Sequence, residues 1–159
     1  MAFSKAKKTS FKDILLKASS FCAYQERTQQ EVRNKLYEQD VDKDLIEEVI
    51  VKLIEENFLN EERFAKAYAG GKFRIKRWGR NKIVQELKQK GLSAYCIKKG
   101  MEEIDSKDYE NTLEFLIDKK EKEEKEKNVF KRKDKISKYL IRKGYEPDLV
   151  WDKINEVYK

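Results

Sequence analysis

Apolar residues recur along this chain three and four positions apart, and the pattern itself recurs. Val32, Ile83 and Ile136 hold equivalent places, as do Leu36, Leu87 and Leu140. The series continues with Val41/Leu92/Tyr145, Leu45/Cys96/Leu149, Ile46/Ile97/Val150, Ile50/Met101/Ile154 and Leu53/Ile104/Val157. The offsets are 51 residues and then 53. Gly91 and Gly144 match each other and stand opposite Asp40, at a point where a helix must stop. Glycine takes the left-handed conformation of such a stop freely, and Asp or Asn does so less readily. A periodic apolar pattern with periodic stops predicts a helical repeat.

Each unit reads as three helices. In the first, Ile14, Leu15, Ala18, Phe21 and Cys22 form one apolar face. Thr28-Gln-Gln-Glu31 opens the second as a capping box, in which hydroxyl and carboxylate each satisfy a free backbone amide. Val32 and Leu36 are its i, i+4 core pair, and a third helix runs from about Asp42 through Leu53. The second unit opens at the N-cap Asn60. Phe64, Ala67, Tyr68, Gly71, Ile75 and Trp78 follow at helical spacing, which predicts that Ile75 and Trp78 are core residues. Phe73 lies off that stripe, free to stack on a base or to pack against a neighbouring repeat. Gly70-Gly71 is not followed by the GK[ST] of a phosphate loop, and is expected to bend the helix or admit a close neighbour. Gly79 breaks the helix, Gly91 ends the next, and Ser93 caps the last of the unit. The third unit opens near Ser106, continues into KKEKEEKEK (119–127), read as a solvated helix, and ends with a helix beginning at Glu146-Pro147.

The expected fold is therefore all-α: three tandem three-helix repeats of about 50 residues each, packed end to end through modest interfaces in an elongated, straight or curved arrangement. The expected layout is a basic flexible tail at 1–10, then repeats at 11–58, 59–105 and 106–159.

Composition narrows the chemistry. Histidine is absent, which removes the usual general base and the commonest metal ligand. Cys22 and Cys96 are far apart, have no CxxC spacing and fall on apolar stripes, where a small buried thiol is expected. No carboxylate pair stands in an apolar setting that would mark a general acid. An enzyme, a metal site and a cofactor are all unsupported. No apolar run approaches the ~18 residues of a membrane span, and the basic start has no hydrophobic core of a signal peptide, so a cytoplasmic location is expected.

Charge sharpens the picture. The chain is net +7, yet residues 1–69 and 101–159 are each net −1, and the window 70–100 is net +9. A concentrated excess of this kind is an electrostatic footprint for a polyanion. It centres on KFRIKRWGRNK (72–82), with Lys72, Arg74, Lys76, Arg77, Arg80 and Lys82 as the candidate contacts. A secondary patch comprises Lys131, Arg132, Lys133, Lys135, Lys138, Arg142 and Lys143, faced only by Asp134 between 128 and 143. Repeats two and three are thus the expected electrostatic contacts.

The second unit resembles the central repeat of the RecX family of bacterial RecA regulators. The resemblance is carried by Phe58-Leu59-Asn60-Glu61-Glu62-Arg63-Phe64-Ala65, by Arg74 ahead of Gly79, and by Ile83…Glu86-Leu87…Lys90-Gly91. Arg27…Glu31-Val32…Leu36 and Ile136…Leu140…Lys143-Gly144 are similar with weaker motifs, so the likeness runs from about residue 12 to the end. Thr28-Gln29, Asp40 and the Lys/Glu stretch depart from the usual pattern. The resemblance implies three three-helix repeats and binding to the RecA–DNA filament. It also implies inhibition of RecA's ATPase and strand exchange, and restraint of recombination and SOS induction. Expected partners are the RecA filament and single- and double-stranded DNA, the latter bound weakly and without sequence preference, by a monomer with no membrane role. Two alternatives stay open on the residues alone: a stand-alone DNA-binding protein of helix-turn-helix type, and a structural helical scaffold.

Overall fold

At Thr28 both halves of the capping box form. Its Oγ1 accepts from the Glu31 N–H at 3.0 Å, and its own N–H donates to Glu31 Oε1 at 2.8 Å. The same logic starts the other helices. Ser10, Asp42, Asn60, Ser93, Asp105 and Asn128 each accept a hydrogen bond from a backbone N–H in the first turn that follows. Pro147 stands in the first turn of the last helix, where its missing N–H costs nothing. Each side-chain cap contributes about 1 kcal/mol.

The computed structural model describes residues 10–159, so the tail expected at 1–10 lies outside the described residues except for Ser10. Among the described residues there are nine helices and no strand: α1 (Phe11–Tyr24), α2 (Gln29–Glu38), α3 (Lys43–Glu55), α4 (Glu61–Lys76), α5 (Arg80–Gln89), α6 (Ala94–Met101), α7 (Ser106–Glu123), α8 (Val129–Arg142) and α9 (Pro147–Val157). The repeat is visible in the cores. Val32, Ile83 and Ile136 are buried, as are Leu36, Leu87 and Leu140, and Ile46, Ile97 and Val150. Asp40, Gly91 and Gly144 all have positive φ, at 59°, 83° and 111°, which is where the pattern placed the helix stops.

The described residues divide into two compact units, the first ending at Phe64 and the second comprising Ala65–Lys159. In the first, α1, α2 and α3 close around Ile14, Ala18, Cys22, Val32, Leu36, Ile46, Val49, Ile50, Leu53 and Leu59. The start of α4 is stitched to the same unit. Glu61 accepts from the Gln29 N–H at 2.9 Å, and Arg63 pairs with Glu26 at 2.6 Å.

In the second unit, α4 meets α6 where Ala65 approaches Gly100 and α7 where Phe73 lies against Tyr109, and the second and third repeats share a hydrogen-bonded seam. The Gly79 N–H donates to the Lys143 carbonyl and the Asn81 N–H to the Gly144 carbonyl, each at 2.9 Å. Tyr145 donates to the Arg77 carbonyl at 2.9 Å. Tyr109 accepts from the Arg80 N–H at 2.9 Å and donates to Glu146 Oε1 at 2.5 Å.

The face that α4 buries differs from the expected one. Phe64 is buried, but the stripe continues through Ala65, Ala69 and Phe73. Ile75 is 79% exposed, Ala67 is exposed and Trp78 is half-buried. The reason is tertiary. Gly100 on α6 admits Ala65 so closely that a Cβ there would overlap it, and Phe73 lies on the Tyr109 ring at 5.8 Å. Both stripes of α4 have helical spacing, so periodicity alone does not choose between them. Gly71, expected to admit a neighbour, has open space around it, whereas Gly70 lies under the Arg74 guanidinium.

The 119–127 run also differs from a single solvated helix. α7 ends at Glu123, and the segment after it wraps around Arg132. The Arg132 guanidinium donates to the Glu121, Glu124 and Glu126 carbonyls at 2.7–2.8 Å and pairs with the Glu121 carboxylate at 2.7 Å. Arg132→Ala is expected to open residues 124–128 to protease. Limited proteolysis should show new cleavage there while the circular dichroism stays helical.

Candidate polyanion-binding surface

Because α4 turns its other stripe inward, the side carrying Tyr68, Lys72, Ile75 and Lys76 lies outside the core. There the basic run meets two aromatic rings. The Lys72 and Lys82 ammonium groups lie 4.9 and 4.4 Å from the centroid of Trp78. Lys72 and Lys90 lie 5.3 and 5.4 Å from the centroid of Tyr68. The two rings meet edge to face at 6.5 Å. Each cation–ring contact at an exposed site is worth about 0.5–1 kcal/mol, which offsets part of the repulsion among three gathered ammonium groups. Ile75 and Lys76 continue the exposed face.

Arg74 lies on a different side of α4, and Arg77 follows three positions later, just past the end of the helix. Arg77 sits in the left-handed region at φ 56°, and its guanidinium lies 4.9 Å from the centroid of Phe115 on α7. Phe73, Arg74 and Arg77 line one side of a cleft of about 390 Å³, with Asp108, Asn111, Thr112 and Phe115 on the other. Arg80 is not brought to this surface in the same way. Its guanidinium pairs with Glu146 at 3.0 Å and stacks 3.8 Å over Tyr109, inside the seam.

The secondary patch is similarly sorted. Arg132 holds the 124–128 segment. Lys133 reaches Asn155 at 3.3 Å, Lys138 pairs with Asp134 at 2.9 Å, and Lys135 stands 3.9 Å from both Glu124 and Glu126. Lys143 faces Tyr139 at 5.7 Å. Lys131 and Arg142 are exposed. Arg142 and Lys82 line one shallow hollow of about 220 Å³ with Gln85, Glu86 and Ile141, so the two patches adjoin between α5 and α8.

Lys90, Tyr68 and Phe115 were absent from the contacts read off the sequence. Lys82 lies in the first turn of α5 and Lys90, eight residues on, is its C-cap, and that spacing was a usable signal for Lys90. Nothing local links Phe115 to Arg77, because the contact depends on how α7 packs. Burial pushes the Tyr109 and Tyr145 phenols well above the ordinary tyrosine range, and for Tyr109 the hydrogen bond to Glu146 adds to the rise. Among the described residues no three His, Cys, Asp or Glu side chains gather as metal ligands, and no helix is long and apolar enough to cross a membrane.

Family models for the first, second and third three-helix domains of RecX match residues 15–53, 60–101 and 108–154. The Regulatory protein RecX of Bacillus cereus is 33% identical over 136 residues, covering 85% of this chain and 50% of the relative. That of Bacillus cytotoxicus is 30% identical over 135 residues, with the same coverage. The chain thus spans about half the length of the curated relatives it matches. The crystal structure of RecX from Lactobacillus salivarius superposes with a TM-score of 0.83 at 25% identity, covering 92% of this chain and 95% of that one. A second RecX crystal structure gives 0.78 at 21% identity, covering 97% and 81%, and supports the fold.

Proposed function

The chain belongs to the RecX family, and on that premise we propose that it binds the RecA–DNA filament and restrains it, inhibiting RecA's ATPase and strand exchange and so damping SOS induction. The reading is of a non-catalytic regulator acting as a cytoplasmic monomer. It binds single- and double-stranded DNA weakly, without sequence preference. The observation that carries it is the gathering of Lys72, Lys82 and Lys90 around Trp78 and Tyr68, next to Arg142. A filament offers two targets to such a surface: phosphates, whose neutralisation releases counterions, and acidic protein faces, which cations can pair with directly. Lys76, Arg74, Arg77 and Lys131 extend the proposed contact. Arg80 and Arg132 support it from within the fold.

The test is RecA's DNA-dependent ATPase under increasing amounts of the protein, beside Lys72→Glu/Lys82→Glu/Lys90→Glu. Inhibition at well below one protein per RecA, lost in the triple variant, is the expected result. DNA binding by the wild type should fall with salt, and the slope of log K against log salt should flatten by about 0.9 for each phosphate contact the variant loses. No effect on RecA, with tight sequence-specific binding to bare duplex, would instead favour the helix-turn-helix alternative. Equal inhibition by both proteins would remove the lysine cluster from the contact.

A further inference from the structure

We propose that the cleft between the end of α4 and the middle of α7 takes one unstacked nucleobase, with its phosphate, from a single DNA strand. The inference rests on the polyanion contact proposed for the same part of the chain, and it adds a site that distinguishes bases from bare backbone.

Size sets the class of occupant. At about 390 Å³ the cleft matches small-molecule sites, which begin near 300 Å³, and suits one nucleotide rather than a helix or a duplex. The chemistry of its walls is divided. Arg74 and Arg77 supply two guanidinium groups on the α4 side, suited to a phosphate. On the α7 side, Asp108, Asn111, Thr112 and Phe115 follow at i, i+3, i+4 and i+7 and so share one helix face. Asp108 accepts hydrogen bonds, while Asn111 and Thr112 both donate and accept. A site for phosphate alone or for an acidic peptide gains nothing from a carboxylate on the α7 wall, whereas a phosphate beside the base is held across the cleft by Arg74 and Arg77. A base edge uses all three α7 groups, because it presents N–H donors beside ring and carbonyl acceptors.

Phe115 provides the platform. Its ring is 49% exposed and faces the Arg77 guanidinium at 4.9 Å, an aromatic–cation pair that a base can join or enter. Phe73, buried on Tyr109, forms an apolar floor. Arg77 carries a second sign of use. It is held at φ 56°, where an L side chain is disfavoured, and the Tyr145 hydroxyl clamps its carbonyl at 2.9 Å. At the other left-handed positions among the described residues this chain uses Asp40, Asn57, Gly91 and Gly144. An arginine at a left-handed turn gives up that ease and brings its guanidinium to the cleft. Non-glycine residues held in this region cluster at binding sites. Bases in a duplex are already paired and stacked, so the cleft selects an unpaired strand.

The test uses the full chain and fluorescence anisotropy with two labelled strands of equal length, oligothymidine and an abasic deoxyribose-phosphate polymer. The base-bearing strand is expected to bind about tenfold more tightly. Phe115→Ala should bring the two affinities within about twofold while leaving the abasic strand's affinity unchanged. Phe115 is half exposed, so the variant should fold, with its melting curve as the check. Asn111→Ala, at an exposed position, provides an independent second variant, and 2-aminopurine placed in the strand should lose fluorescence on stacking only when Phe115 is present. Equal affinity of wild type for both strands, unchanged in Phe115→Ala, would overturn the cleft and leave the phosphate contact standing. Failure of both strands to bind would overturn the phosphate contact itself. Displacement of the base-bearing strand by polyglutamate as readily as by unlabelled oligothymidine would overturn the base reading in favour of an acidic protein segment.

Discussion

Gly79→Ala is expected to destabilise the unit formed by residues 65–159 by about 3 kcal/mol, near the upper end of what overpacking costs. A Cβ at Gly79 would overlap the backbone of Gly144 and Tyr145, and neither can yield without breaking the seam. The Gly79 and Asn81 N–H groups donate to the Lys143 and Gly144 carbonyls, so separating the strands of chain there strands two donors and two acceptors. Gly144 is doubly constrained, by its φ of 111° and by the Lys82 side chain above it. Gly71→Ala is the built-in control. That glycine is in the interior of α4 with open space around it, so alanine should stabilise by about 0.5–1 kcal/mol. Urea unfolding followed by circular dichroism checks both signs. A Gly79→Ala variant as stable as the wild type would mean that the two repeats do not interlock at this point.

Tyr109→Phe is the second large effect, at about 2–3 kcal/mol. The hydroxyl is the hub of the seam: it accepts from the Arg80 N–H and donates to Glu146, whose other oxygen holds the Arg80 guanidinium at 3.0 Å. Without it, a part-buried amide and a carboxylate oxygen lose their partner, and the cost is that of an unsatisfied group rather than of an average hydrogen bond. Tyr145→Phe removes a single bond, to the Arg77 carbonyl, and should cost about 1 kcal/mol. The same two phenols set an alkaline limit. Burial raises both above the unfolded value of about 10. The neutral form is favoured in the fold, so the stability they support is fully present below that value. It is lost as pH rises above it toward the folded values, by about 1.4 kcal/mol per pH unit for each phenol. Absorbance at 295 nm should therefore show two of the eight tyrosines ionising only as the unit unfolds, and the alkaline transition should become shallower in Tyr109→Phe/Tyr145→Phe. Ordinary titration of all eight tyrosines in the folded protein would contradict the buried seam.

Helix starts and most stops were legible along the chain because they are local; the end of α7 at Glu123, set by the wrap around Arg132, was not. Thr28 and Glu31 form their box three residues apart, and Ser93 caps with its own following turn. Asp40, Gly91 and Gly144 take the left-handed stop because the backbone there requires it. The repeat was legible because the same core positions are filled three times: Leu36, Leu87 and Leu140 are each buried where the pattern put them. Val157, at the end of α9, is the one exposed member of the series at 46%, while Val41, Leu45, Met101, Leu149 and Cys96, where a buried thiol was expected, are half-buried.

The division of the basic residues was a different matter. Six cations within KFRIKRWGRNK look alike in one dimension, yet Lys72 and Lys82 surround Trp78, Arg74 and Arg77 line the cleft toward α7, and Arg80 is drawn into the seam by Glu146, 66 residues away. Charge counting located the window and had no means to sort its members. Which stripe of α4 is buried was also undecided by spacing, because Phe64, Tyr68 and Ile75 repeat as regularly as Ala65, Ala69 and Phe73. The choice was made by Gly100 and Tyr109, residues on other helices that accept Ala65 and Phe73. Sequence alone determined what depends on neighbours within a turn or two: helices, caps, most stops, the threefold repeat and the net +9 window. Tertiary structure alone decided which face points inward and which cations remain outside. Those outcomes depend on the packing partners that distant segments supply, and a local period carries no information about them.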